Sequence, residues 1–313
     1  MNCIFTCTTF FDFAGSDKLS CFFKAIDTFI EKNQSDDSLN NIKSWVVVNE
    51  YAENGRTNWR DIVSSKYPFI NFYQKDIENK GQAASMNIIL KLIQEFTYWI
   101  HWEESWYADK PFLKDALDIM NSTDITQLQF TSRNGDVNWM KSGPDRLTCD
   151  AEYRYCIVKP TPTSVADVDV MGACCNDWPL YSLLPSINRV SMYNSAVGNF
   201  PTDPKLWPFT FEYYFAKKWL KNGGVKAVLT YGPVTRDDSK HVSTYAVQKK
   251  VADPIPEKQA DVRVWQLNGH VVKKTKISDS VVFAIVLSAI VLLVILIAIV
   301  LCVLQEKRRG LQF

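Results

Sequence analysis

Residues 81–104 read GQAASMNIILKLIQEFTYWIHWEE, and this stretch decides the fold. Residues 81–96 carry apolar side chains at helical spacing, whereas YWIHWEE (98–104) is an aromatic run ending in two carboxylates. That change of pattern reads as a helix feeding a strand. Upstream, FINFYQ (69–74), SWVVVNEY (44–51) and CIFTCTTF (3–10) are rich in β-branched and aromatic residues and read as strands. DKLSCFFKAIDTFIEK (17–32) places Leu19, Phe22, Phe23, Ile26, Phe29 and Ile30 on one helical stripe, and NQSDDSLNN (33–41) is a polar loop. The alternation predicts an α/β fold of Rossmann-like form, with a mostly parallel central sheet and helices on both faces.

Downstream the pattern is less regular. VMGACC (170–175) and KAVLTY (226–231) are strand candidates, and FTFEYYFAKKWLKNGG (209–224) reads as a helix ending at Gly223 and Gly224. Residues 246–280 read as a stalk holding Pro254 and Pro256, although VRVWQL (262–267) has strand character. Residues 281–304, VVFAIVLSAIVLLVILIAIVLCVL, contain no charge, proline or glycine. As a helix they span about 36 Å, enough to cross a bilayer core of about 30 Å. Lys273, Lys274 and Lys276 before this run balance Lys307, Arg308 and Arg309 after it, so the positive-inside rule sets no orientation. The N-terminus lacks the pattern of a signal peptide, and a short basic tail (305–313) follows the run. The expectation is a single-pass C-terminal anchor with the large domain (1–245) in the cytosol. Glycans on the sequons at Asn33 or Asn121 would reverse it.

With 35 basic and 34 acidic residues the formal charge is +1, which gives no electrostatic reason to propose nucleic acid as a partner. The eight cysteines form no CxxC pair and are expected to be ordinary buried thiols of a reducing compartment. Three histidines argue against a multi-histidine metal centre. Neither GxGxxG nor GxxxxGK[ST] occurs.

Ligands of open parallel sheets bind beyond the carboxyl ends of the strands. Here those ends carry Thr8, Thr9 and Phe10, then Asn49 and Glu50, then Gln74 to Asp76, then Glu103 to Trp106. The order of VVVNEY, NKGQAASMN and YWIHWEESW resembles the N-terminal half of a family-2-type GT-A glycosyltransferase, similar to chains of large DNA viruses. The resemblance covers residues 1–245 and implies a GT-A domain. It implies nucleotide contacts at Asn49, Glu50, Lys80, Gly81 and Asn87; Thr8, Thr9 and Phe10 join them as residues of a strand end, and Trp102 as an aromatic face suited to stacking on sugars and bases. It also implies a divalent metal, Mn²⁺ or Mg²⁺, on Glu103, Glu104 and His241, since hard cations prefer oxygen ligands. Ser105 stands where many relatives have a third carboxylate, and Val242 follows His241 where glycine is usual.

In the acceptor half, DWPLYSLLPSINR (177–189) and FTFEYYFAKKW (209–219) continue the resemblance, which makes Glu212 the catalytic base and Asp177 the second choice. The implied activity is inverting transfer of a hexosyl group from a nucleotide sugar to a hydroxyl of a glycan, glycolipid or glycoprotein. Lys75, Lys80 or Arg189 would supply positive charge if no metal is present. Two other classes stay open: a non-catalytic, glycosyltransferase-shaped binding or scaffold module, and a nucleotidyltransferase, which would release pyrophosphate.

Overall fold

The computed structural model describes residues 1–12, 17–131, 147–160, 180–193, 196–202 and 210–236, with two short strands at 265–267 and 270–272. The chain divides into two units, Met1–Ala252 and Asp253–Phe313.

The first unit is built on a nine-stranded sheet of order β3-β2-β1-β4-β9-β6-β10-β8-β7. Its leading block is parallel: β1 (Cys3–Thr9) lies between β2 (Ile42–Asn49) and β4 (Tyr98–Glu103), and β3 (Ile70–Gln74) lies beside β2. The remaining strands are β6 (Gln127–Gln129), β7 (Leu147–Cys149), β8 (Tyr155–Val158), β9 (Ser186–Arg189) and β10 (Lys226–Leu229). β6 and β10 pair in parallel, and only β8 and β9 run against the other strands described. Outside this sheet, β5 (Trp106–Ala108) pairs antiparallel with β11 (Val234–Arg236).

Both faces are covered, as the alternation requires. Every residue of β1 is buried, with Cys3, Phe5 and Cys7 on one face and Ile4 on the other. The first face packs on α1 (Lys18–Asn33), α2 (Trp59–Lys66) and α4 (Leu113–Ser122) through Phe22, Phe29, Val63 and Leu117. The second packs on α3 (Gln82–Leu92) and α5 (Thr210–Lys221) through Met86, Ile89, Phe215 and Trp219. Two side chains of period two meeting helices of period 3.6 on opposite faces leave the strand tips as the open edge. α5 ends where the sequence suggests: Gly223 has φ +86, and a Cβ on Gly224 would lie 2.3 Å from the Trp219 ring.

Two expectations change. The sheet gains strands that the sequence did not signal, above all β9, an antiparallel insert between β4 and β6. Its Ser186 and Asn188 interrupt the apolar pattern that strand reading relies on. The thiol expectation also fails in one place: Cys149 and Cys156 sit directly opposite each other on β7 and β8 and form a disulfide, while Cys3, Cys7 and Cys21 are buried free thiols.

In the second unit β12 (Trp265–Leu267) and β13 (His270–Val272) form an antiparallel hairpin that includes the end of VRVWQL. Among the described residues no helix is long and apolar enough to cross a membrane. The run 281–304, the tail 305–313, the strand candidate 170–175, Asp177 and His241 lie outside the described residues.

Candidate active site

The carboxyl ends of β3, β2, β1 and β4 form one edge, and each carries a side chain proposed for ligand binding. Asn49, fully buried, ties three of the tips together. Its Oδ1 accepts from Thr9 Oγ1 (3.0 Å) and Phe11 N (3.1 Å), and its Nδ2 donates to Gln74 Oε1 (2.8 Å). Asn49 and Thr9 thus shape the edge by bracing it. Thr8 is buried in register with Val48 and Glu103, and Phe10 is half-buried at the same end of β1.

Glu50 and Lys75 make a second brace. Lys75 Nζ donates to Glu50 Oε2 (2.9 Å), Gly81 O (2.8 Å) and Ser85 Oγ (2.8 Å). Glu50 Oε1 accepts from Tyr51 N (2.9 Å), and both its oxygens accept from Gly81 N. The side chains are 0% and 14% exposed. Burial holds the Lys75 ammonium below the ordinary lysine range, against the pull of Glu50. All three ammonium donors of Lys75 therefore have protein acceptors, and Lys75 is not available to a diphosphate. Gly81, at φ +98, is the residue where the chain turns into α3, a conformation that favours glycine. Lys80 beside it is exposed.

The tip of β4 differs. Glu104 is buried and paired with Lys18 Nζ at 2.6 Å. Glu103 accepts from Gln82 Nε2 (3.2 Å) and Trp106 Nε1 (3.3 Å). Its carboxyl is pushed up to about 7, first by burial and then by the Glu104 charge, while Arg236, Trp106 and Lys18 pull the other way. Arg236 reaches this spot because it pairs with Trp106 across β11 and β5, its guanidinium carbon 5.8 Å from the Trp106 ring centre.

Glu212 lies in the first turn of α5 and accepts from Leu183 N at 2.8 Å. Ser186 of β9 pairs with His101 of β4, and the strands run antiparallel, so the residues before Ser186 continue toward and past the tip of β4. Glu212 is thus tied to the segment that leads into β9. His101 of β4 is buried and neutral, its conjugate acid pushed down to about 3 by burial.

Three expected contacts are corrected. Trp102 is fully buried among Phe5, Phe29, Phe112 and Phe130, with its indole N–H on Trp106 O (3.0 Å), so it presents no face for a base. Asn87 pairs both ends of its amide with the Phe200 backbone (2.9 and 2.8 Å) and so clamps the 196–202 segment onto α3. Arg189 sits at the opposite end of β4, in register with Tyr98, with its guanidinium on the carbonyls of Met120, Thr123 and Ile125. It supplies no positive field at the tips.

Of the expected metal ligands, His241 lies outside the described residues and Glu104 already holds a buried lysine, which does not fit a divalent ion on that carboxylate; among the described residues no three His, Cys, Asp or Glu side chains are grouped to hold an ion. Lys18 and Arg236 were not anticipated.

No family model matches the sequence, and no curated protein matches it. Among solved structures, Staphylococcus aureus TarS 1–349 in complex with UDP-GlcNAc is similar over 78% of this chain and 62% of its own, at 17% identity and TM-score 0.48. TarS 1–349 without that ligand gives 74% and 58%, at 16% identity and TM-score 0.47. Mannosyltransferase PcManGT from Pyrobaculum calidifontis, in complex with GDP-Man and Mn²⁺, gives 64% and 48%, at 14% identity and TM-score 0.41. The chain thus spans less than two thirds of each of these structures.

Proposed function

We propose that the chain is a glycosyltransferase that moves a sugar from a nucleoside-diphosphate donor to an acceptor hydroxyl. What supports this reading is the Glu50–Gly81 brace and Glu103 at the carboxyl-end edge of the parallel block, bridged by α3 through the Gln82–Glu103 bond, with Glu212 bonded to the segment that leads into β9. Such an edge is where open α/β sheets bind ligands. Glu212 takes the proton of the acceptor hydroxyl as its oxygen bonds to the anomeric carbon. The bond from that carbon to the diphosphate oxygen breaks, and the configuration inverts. The donor's base and ribose lie along the Thr9, Glu50 and Gly81 edge. The 281–304 run anchors the enzyme beside a membrane-borne acceptor.

Incubating the full chain with a panel of nucleotide sugars tests this. Turnover of one donor is expected, and Glu212→Gln lowers it by about 100-fold or more, the usual contribution of a general base. No binding and no turnover of any donor, with the protein folded, overturns the reading. A non-catalytic binding module is favoured by one observation, that Asn49, Glu50 and Asn87 already have protein partners; it predicts donor binding that Glu212→Gln leaves unchanged and no turnover.

A further inference from the structure

The β4 tip carries its own counter-charges. Among the described residues Glu104 pairs with Lys18 from α1, and Glu103 bonds Trp106, over whose ring Arg236 of β11 sits. A divalent cation is held by unneutralised carboxylates. Here Lys18 Nζ, 2.6 Å from Glu104 with both side chains no more than 10% exposed, stands where such an ion would need that carboxylate. Arg236 is placed by strand pairing, half-buried beside Trp106, whose indole N–H bonds Glu103. Gln82 joins the same carboxylate to the Gly81 turn. A guanidinium is always charged and its planar fork matches phosphate oxygens.

We propose that this chain binds the donor's diphosphate without a divalent metal, with Arg236 meeting the phosphate charge and Lys18 holding Glu104 in the role an ion would fill. The inference rests on the donor reading above. When the sugar leaves, the negative charge gathering on the nucleoside diphosphate is met by a cation already fixed in place, which needs no reorganisation.

Calorimetric titration of the full chain with UDP and GDP, in EDTA and in Mn²⁺, decides it. One nucleotide is expected to bind with the same affinity, within twofold, in both buffers. Arg236→Met weakens that binding at least tenfold, and Arg236→Lys recovers part of it. Lys18→Met, which frees Glu104, makes binding at least fivefold tighter in Mn²⁺ than in EDTA. Wild-type binding seen only with Mn²⁺ overturns the inference and leaves the donor reading intact, as does an unweakened Arg236→Met whose thermal melt matches wild type. Binding of neither nucleotide in either buffer overturns both.

Discussion

Two strand tips each pair a carboxylate with a lysine, yet the two pairs behave differently. At the end of β2, Glu50 and Lys75 form a closed unit in which the three ammonium hydrogens and both carboxylate oxygens have partners. At the end of β4, Lys18 satisfies Glu104 but leaves Glu103 beside a second acid, half-buried and with its carboxyl pushed up to about 7. The difference teaches what each pair is for. A fully satisfied buried pair fixes a loop, here the turn into α3 at Gly81. A cluster with adjacent like charges stores a preference for whatever relieves them.

The largest expected effect breaks the closed pair. Lys75→Met leaves Glu50 without its cation and destabilises the fold by about 3–5 kcal/mol in denaturant titration. Mn²⁺ does not restore it, because Glu50 is also committed to Gly81 and Tyr51 N–H groups. Equal rescue of Lys75→Met and Lys18→Met by Mn²⁺ would erase the contrast between the two tips.

Next in size is the pH dependence of the open cluster. The Glu103 carboxyl has an ordinary value of 4.5 and is raised to about 7 in the fold, so between these values the unfolded chain releases a proton that the folded chain keeps. Stability therefore falls as pH rises from about 4.5 to about 7, by up to about 3 kcal/mol for a shift of this size, and stays lowered above that window. Glu103→Gln removes this fall, so above pH 7 the variant is expected to be more stable than wild type by about 1–3 kcal/mol. Urea midpoints at pH 5 and pH 8 measure it, and a variant with an unchanged slope would refute a strained Glu103.

The smallest effect tests a brace outside both tips. Asn87→Ala removes two hydrogen bonds to the Phe200 backbone and costs about 1–3 kcal/mol. Nucleotide affinity stays within twofold of wild type, since the Asn87 amide reaches no strand tip. A large loss of affinity at unchanged stability would return Asn87 to the donor site.

The parallel block was legible because its cues are local. CIFTCTTF, SWVVVNEY and YWIHWEE each carry strand composition, and two of the three intervening helices, α1 and α3, carry a 3.6-residue stripe. The same local signal located the strand ends, where Glu50 and Glu103 sit; Gly81 and Glu212 were singled out only by the family resemblance. β9, β6 and β5 were not legible. They are three or four residues long, and what makes them strands is a partner supplied from 80 or more residues away, as Tyr98 is for Arg189.

The sequence by itself determined the α/β class, the apolar run at 281–304 and which residue types crowd the strand ends, because period and composition act over a few neighbours. Only the tertiary structure decided which of those residues are committed to partners within the protein. Trp102 went to the core, Asn49 and Asn87 to backbone bracing, and Glu104 to Lys18, a partner 86 residues away in the chain. The physical reason is that burial and charge pairing depend on distance in space. A lysine in α1 and an arginine in β11 become neighbours of one acidic tip only after the sheet has formed.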